Sequence, residues 1–182
     1  MHMDEFAEKA WGPKTLTPLD APSGLTPEKL LDAIAQSAFT NLRTYSNCAR
    51  STLWALQTHL RLEDSAALRA SAGLAGGIGG TGETCGAVIG ALMAVGLGLG
   101  SDAFDDANAN RLVSGAVREV VDELREVYGS TRCHDIQTRL IGWCCDDSSK
   151  ADAWRAAGGP IACATVCSEA ARIAARVILD AS

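Results

Sequence analysis

Seven cysteines are the residues of this 182-residue chain most able to do chemistry. Four of them, Cys48, Cys85, Cys133 and Cys163, closely follow Ser, Thr, Asn, Gly or Pro residues that commonly begin helices. A helix start carries about half a positive charge and presents unpaired N–H groups. That setting favours the thiolate form of cysteine, which attacks disulfides and binds metals. The shared placement therefore predicts redox or metal chemistry at these four residues.

Three functions are consistent with these four cysteines. The first is thiol–disulfide or electron-transfer chemistry, which would make the chain a thiol-dependent oxidoreductase if it is an enzyme. The second is metal binding by four thiolates, with an iron–sulfur cluster as the leading cofactor candidate. The third is a structural or interaction domain with inert cysteines, because a lone helical cysteine usually packs as a small hydrophobe.

The other cysteines have weaker patterns. Cys167 lies four residues after Cys163, on the same face of the predicted helix, and is a reserve ligand. Cys144 and Cys145 are adjacent, which is a poor geometry for a shared bridge or chelate. No C-x-x-C occurs, which excludes the commonest zinc-ribbon and ferredoxin spacings. Cys133-His134 lacks the first cysteine of a C-x-x-C-H site, so haem c is not expected.

A glycine-rich loop, Gly76 to Gly82, precedes Cys85. It lacks both the preceding strand of a Rossmann fingerprint and the Gly-Lys-Ser/Thr ending of a P-loop, so phosphate binding is not expected. We expect the loop to bring backbone N–H groups close to Cys85, where they would stabilise a thiolate or a cluster sulfide. Gly82, Thr84 and Gly86 are the predicted cofactor-binding residues.

Helical periodicity and caps predict the elements that position the cysteines. No run shows sustained strand alternation, so the predicted fold is all-α, a single bundle of about five to seven helices. The first predicted elements are one helix from Thr26 to Leu60 or two with a break at Ser46-Asn47, a short helix from Asp64-Ser65 to Leu74, and a buried central helix from Glu83 to Leu99. They are followed by a helix from Ser101-Asp102 to Gly129 with Phe104 in its apolar stripe, a shorter helix from Ser130, a polar connector over 142–157 with or without a helical part, and a last helix from Pro160.

Composition and charge limit the partners. Residues 1–25, with three of the five prolines, are predicted to be an N-terminal arm, and residues 26–182 a cysteine-rich domain. The net charge of −6 argues against nucleic-acid binding. The uncharged run Cys85 to Gly100 holds five glycines and falls short of a ~20-residue membrane span. With an acidic start and no apolar signal segment, a cytoplasmic location is expected. The redox partner is unknown, and a stripe of small residues, Gly86, Gly90 and Ala94, packs either within the chain or across a homodimer.

Several segments together resemble the redox-active family named C_GCAxxG_C_C. They are Asn47-Cys48-Ala49, Gly82 to Leu97 around Cys85, Cys133 to Gln137 with Leu140-Ile141-Gly142, and Cys163 before the last helix. The resemblance covers roughly residues 40 to 180, and it implies a cytoplasmic helical protein with redox-active or metal-binding cysteines. By position, it implies that these are Cys48, Cys85, Cys133 and Cys163. A related domain accompanies haem in split-Soret cytochromes, where iron–sulfur binding is suggested, and only the cluster idea transfers here.

Overall fold

The computed structural model describes residues 26–142 and 148–181. The predicted arm at 1–25 and the pair Cys144 and Cys145 lie outside the described residues.

The described residues form an all-α bundle, as the sequence predicts. Eight helices of six residues or more are present, one more than the upper end of the predicted range. They are α1 (Pro27–Tyr45), α2 (Cys48–Leu60), α3 (Ser65–Ala70), α4 (Gly86–Leu99), α5 (Ala107–Tyr128), α6 (Cys133–Ile141), α7 (Ala151–Ala156) and α8 (Gly159–Ala181). Two short 3-10 turns (Ser71–Leu74 and Ser148–Lys150) and one tight turn (Ala75–Ile78) join them.

Side-chain caps begin the helices at the predicted places. Thr26, Asn47 and Asp64 accept hydrogen bonds from backbone N–H groups three residues further on, which satisfies donors that a helix start leaves unpaired. The break between α1 and α2 falls at Ser46, whose φ of 54° is left-handed and cannot continue a helix.

The predicted start of α5 was wrong. Helix α5 begins at Ala107, after the Asp106 cap, rather than at Ser101-Asp102, because the Asp106 carboxylate accepts from both Asn108 and Ala109. Phe104 therefore precedes the helix and is fully exposed instead of joining its apolar stripe. The predicted polar connector is helical in part, because it contains the short helix α7.

Helices α2, α4 and α8 form the centre of the bundle and bring the site elements together. Helix α8 packs against α1, α2, α4 and α5, and α4 packs against α2 along Gly86 and Gly90. A Cβ atom at Gly90 would collide with the backbone carbonyl of Ala49, so this small residue permits close helix contact. The stripe of small residues thus packs within the chain. Among the described helices, none has both the length and the apolar character needed to cross a membrane.

Candidate functional site

The four predicted cysteines line one cavity. Its volume is about 270 Å³, and Cys48, Cys85, Cys133 and Cys163 all contribute to its wall. Aliphatic side chains supply most of the remaining lining, together with Gln137, Trp154 and Arg155. Residues from four separate helix starts therefore meet at one place, although Cys48 and Cys163 are 115 positions apart in the chain.

Each cysteine occupies a helix start, with different exposure. Cys48 and Cys133 are the first residues of α2 and α6, Cys85 is the N-cap of α4, and Cys163 lies in the first turns of α8. Cys48, Cys85 and Cys133 are buried, whereas Cys163 is half-buried. All five described cysteines, including Cys167, are in the reduced form. Cys163 is thus the site cysteine most accessible to a reagent in solution.

A short antiparallel bridge places Cys85 beside Cys133. Thr84 pairs with Arg132, the Cys85 N–H donates to the Thr131 carbonyl at 2.8 Å, and the Cys133 N–H donates to the Glu83 carbonyl at 2.7 Å. Because side chains alternate between the two faces of extended backbone, the residues that follow the paired positions share one face. Cys85 and Cys133 therefore project together toward the cavity that they line.

The Cys85 and Cys133 side chains contact each other directly. The pKa of Cys85 is raised well above its ordinary value, first because its S–H donates a hydrogen bond to Cys133 and then because it is buried. Negative charge on Cys48 or Cys133 would raise it further. Cys85 therefore keeps its proton at neutral pH. The expectation that a helix start would favour its thiolate was wrong, because the neighbouring thiol and burial outweigh the helix start.

Cys48 occupies a second buried position in the same cluster. Burial raises the pKa of its thiol, and hydrogen bonds from the backbone N–H groups of Gly76 and Ala49 oppose that effect in part. The glycine-rich loop thus directs a backbone donor at Cys48, rather than at Cys85 as expected from sequence. Positive φ angles at Gly76 and Gly77 make this turn possible.

The reserve cysteine, Cys167, lies behind Cys48 and outside the cavity lining. Its side chain is fully buried, and its S–H donates to the Cys48 carbonyl oxygen at 3.7 Å. Burial raises the pKa of Cys167 well above its ordinary value. Cys167 therefore packs behind the cluster, while Cys163, one helical turn earlier, lines the cavity.

Gln137 and Trp154 lie near Cys133 and were not predicted from the sequence. The Gln137 amide nitrogen donates to the Cys133 sulfur at 3.0 Å, and the Trp154 indole N–H donates to the Gln137 amide oxygen at 2.5 Å. The i, i+4 spacing of Cys133 and Gln137 on a predicted helix was an available signal for the first contact. Nothing in the sequence pairs Trp154 with Gln137.

A cluster of charged side chains lies on the surface next to the bridge. The Arg132 guanidinium is within 3.6 Å of Glu83 and 3.9 Å of Asp135, and the exposed His134 ring contacts the Asp135 carboxylate at 3.3 Å. Hydrogen bonds from Ser130 and His134 lower the pKa of Asp135. His134 lies outside the cavity lining and is exposed on the surface of α6.

The predicted cofactor-binding residues have structural contacts of their own. Gly82 accepts from the His134 N–H, Thr84 belongs to the bridge, and Gly86 lies against the Cys48 sulfur. None of the three belongs to the cavity lining, and their role toward a cofactor stays a prediction. Within the described ranges, no group of three or more His, Cys, Asp or Glu side chains is arranged to hold a single metal ion.

Comparison with known proteins gives one family match. The model of the family titled "Putative redox-active protein (C_GCAxxG_C_C)" matches residues 46–177. The chain belongs to this family. The range that matches the C_GCAxxG_C_C model contains all four cavity cysteines, as well as Gln137 and Trp154. No curated protein and no solved structure matches the chain.

Proposed function

We propose that the chain performs thiol–disulfide redox chemistry in which Cys85 and Cys133 form and break a disulfide. The observation that carries the proposal is the hydrogen bond between these two thiols at the wall of a cavity. A disulfide forms only between cysteines that are already close and point toward each other. The backbone bridge between Thr84 and Arg132 holds the segments that carry the two cysteines side by side.

The proposed reaction transfers two electrons to a substrate disulfide. The Cys133 sulfur accepts hydrogen bonds from Gln137 and Cys85. It loses its proton and attacks one substrate sulfur, and the other substrate sulfur takes up a proton and leaves as a thiol. Cys85 then gives up its proton and attacks Cys133 in this mixed disulfide. The second substrate thiol leaves, and the Cys85–Cys133 disulfide remains. Two protein thiols are oxidised and one substrate disulfide is reduced to two thiols, and the reverse reaction oxidises a dithiol substrate.

Burial determines which reagents can react. Burial raises the pKa of Cys48, and the hydrogen bond to Cys133 together with burial raises the pKa of Cys85, so both thiols keep their protons at neutral pH. A thiol is a far weaker nucleophile than a thiolate, so bulk oxidants react slowly with these residues. The aliphatic lining of the cavity favours a small substrate with an apolar part near the sulfur.

A redox titration tests this proposal. The intact protein, purified without metal, is equilibrated in glutathione buffers of increasing potential and its mass is measured after acid quenching. We expect a single two-electron transition that is lost in Cys85→Ala and in Cys133→Ala. Cys167→Ala is the matched control, because Cys167 is also buried and lies outside the cavity lining. A transition that survives in Cys85→Ala, or no transition in the parent protein, would overturn the proposal.

A second candidate is an iron–sulfur cluster held by Cys48, Cys85, Cys133 and Cys163. The observation that favours it is that four cysteines surround a cavity of about 270 Å³ rather than a single point, which suits a cluster better than one ion. When bound, such a cluster supplies one-electron transfer, and the Gly76 N–H and Gln137 amide would donate to its thiolate ligands. Iron and sulfide analysis of anaerobically purified protein separates the two candidates. Stoichiometric iron and visible absorbance that are lost in Cys48→Ala would favour the cluster over thiol exchange.

A further inference from the structure

The Gln137 side chain is a buried amide with a partner at each end. It is 6% exposed, its nitrogen donates to the Cys133 sulfur at 3.0 Å, and its oxygen accepts from the Trp154 indole. A buried amide without these partners would be destabilising. The two contacts fix which end of the amide faces the sulfur, because an indole N–H can only donate. Cys133 therefore receives an N–H and not a carbonyl oxygen.

Trp154 is itself held by the first residue of the last helix. A Cβ atom at Gly159 would collide with the indole ring, so the ring lies directly against the backbone of Gly159. Gly159 does not have a positive φ, so its close approach to the ring is the constraint here rather than its backbone conformation. Trp154 also lines the cavity beside Cys133 and Cys163. The absence of a side chain at Gly159 thus positions Trp154, and Trp154 positions Gln137.

We propose that Gln137 and Trp154 are positioning residues that stabilise the reduced form of Cys133 and so raise the reduction potential of the Cys85–Cys133 couple. This inference rests on the proposed function. The reduced couple reacts through the Cys133 thiolate, and an amide N–H bonds more strongly to a thiolate than to the sulfur of a disulfide, which is a weak acceptor. The hydrogen bond is therefore stronger in the deprotonated reduced state than in the oxidised state. It also makes Cys133, rather than Cys85, the sulfur that attacks the substrate.

Removal of the donor should lower the reduction potential. Gln137→Met keeps the length of the side chain but has no N–H, and we expect it to shift the thiol–disulfide equilibrium constant about tenfold toward the disulfide. That corresponds to a potential about 30 mV more negative for this two-electron couple. Trp154→Phe retains an aromatic ring without the indole N–H, and Gly159→Ala displaces the ring. Both should shift the potential in the same direction by a smaller amount.

The matched control is Gly96→Ala. A Cβ atom at Gly96 has no neighbour within 4 Å, so the midpoint potential should equal that of the parent protein. The midpoint potential of each variant is measured by the redox titration with mass detection, and its stability is measured separately by urea unfolding. A purely structural role of Gln137 would change the stability without changing the potential. An unchanged potential in folded Gln137→Met overturns this inference and leaves the couple intact. If the parent protein shows no redox transition, the proposed function is overturned as well. If Gln137→Met does not fold, an unchanged potential in both Trp154→Phe and Gly159→Ala overturns the inference.

Discussion

Gly86→Ala tests whether the close packing of α4 on α2 sets the position of the Cys48 sulfur. A Cβ atom at position 86 would lie 2.6 Å from Cys48 Sγ and 2.8 Å from the Leu74 carbonyl oxygen. Ordinary contacts are about 1 Å longer. The thiol can rotate away, but the Leu74 carbonyl belongs to the backbone and cannot, so α4 must move. Overpacking of this kind destabilises by about 1 to 3 kcal/mol.

Gly96→Ala on the same helix is the control for this substitution. Its new methyl group meets open space, so only helix propensity acts, and the substitution should stabilise by up to about 1 kcal/mol. Urea unfolding followed by circular dichroism measures both variants. Gly86→Ala should also make Cys48 react faster with iodoacetamide, because displacement opens the buried thiol. Equal unfolding free energies for Gly86→Ala and Gly96→Ala, with unchanged Cys48 reactivity, would refute the packing argument.

Two further predictions concern the thiols themselves. The reduced protein should lose stability as the pH rises above about 9, because Cys85 keeps its proton in the folded state and loses it in the unfolded state, which then binds fewer protons. Urea unfolding between pH 8 and 10 measures the slope, and a slope that is equally steep in Cys85→Ala would show that Cys85 is not its source. Iodoacetamide at pH 7.5 should label Cys163 before Cys48, Cys85 and Cys133, because Cys163 alone of the four is half-buried. Peptide mass spectrometry with time measures this order, and early labelling of Cys85 would contradict the burial described here.

The local signals in the sequence predicted most of the helices. Thr26, Asn47 and Asp64 have short polar side chains that accept from the backbone, and each caps the helix that it precedes. The predicted start of α5 was wrong because Asp102 and Asp106 can both cap a helix, and only the structure distinguishes them. Propensity identifies a capping residue type, but it does not choose between two such residues a few positions apart.

The four cysteines that line the cavity could be selected from the sequence, but their contacts and protonation could not. The four cysteines were selected by their placement at helix starts, and the structure brings all four to one cavity. The bridge between Thr84 and Arg132 is too short to leave an alternating pattern, so the pairing of Cys85 with Cys133 had no signal in the sequence. The same holds for Trp154 and Gln137, which meet through tertiary packing. The raised pKa of Cys85 follows from burial and from its neighbouring thiol, which depend on the whole fold.

Identification of the disulfide in the oxidised native protein tests the central claim most directly. Trypsin cleavage after Lys and Arg places Cys85 on peptide 70–111 and Cys133 on peptide 133–139, apart from Cys48 on peptide 44–50. Native protein is oxidised in glutathione buffer, the remaining thiols are blocked, and the digest is analysed by mass spectrometry. The expected result is a linked pair of peptides 70–111 and 133–139 that disappears on reduction. Linkage of Cys85 to any other cysteine, or both peptides blocked as thiols after oxidation, would contradict the assignment of Cys85 and Cys133 as the redox pair.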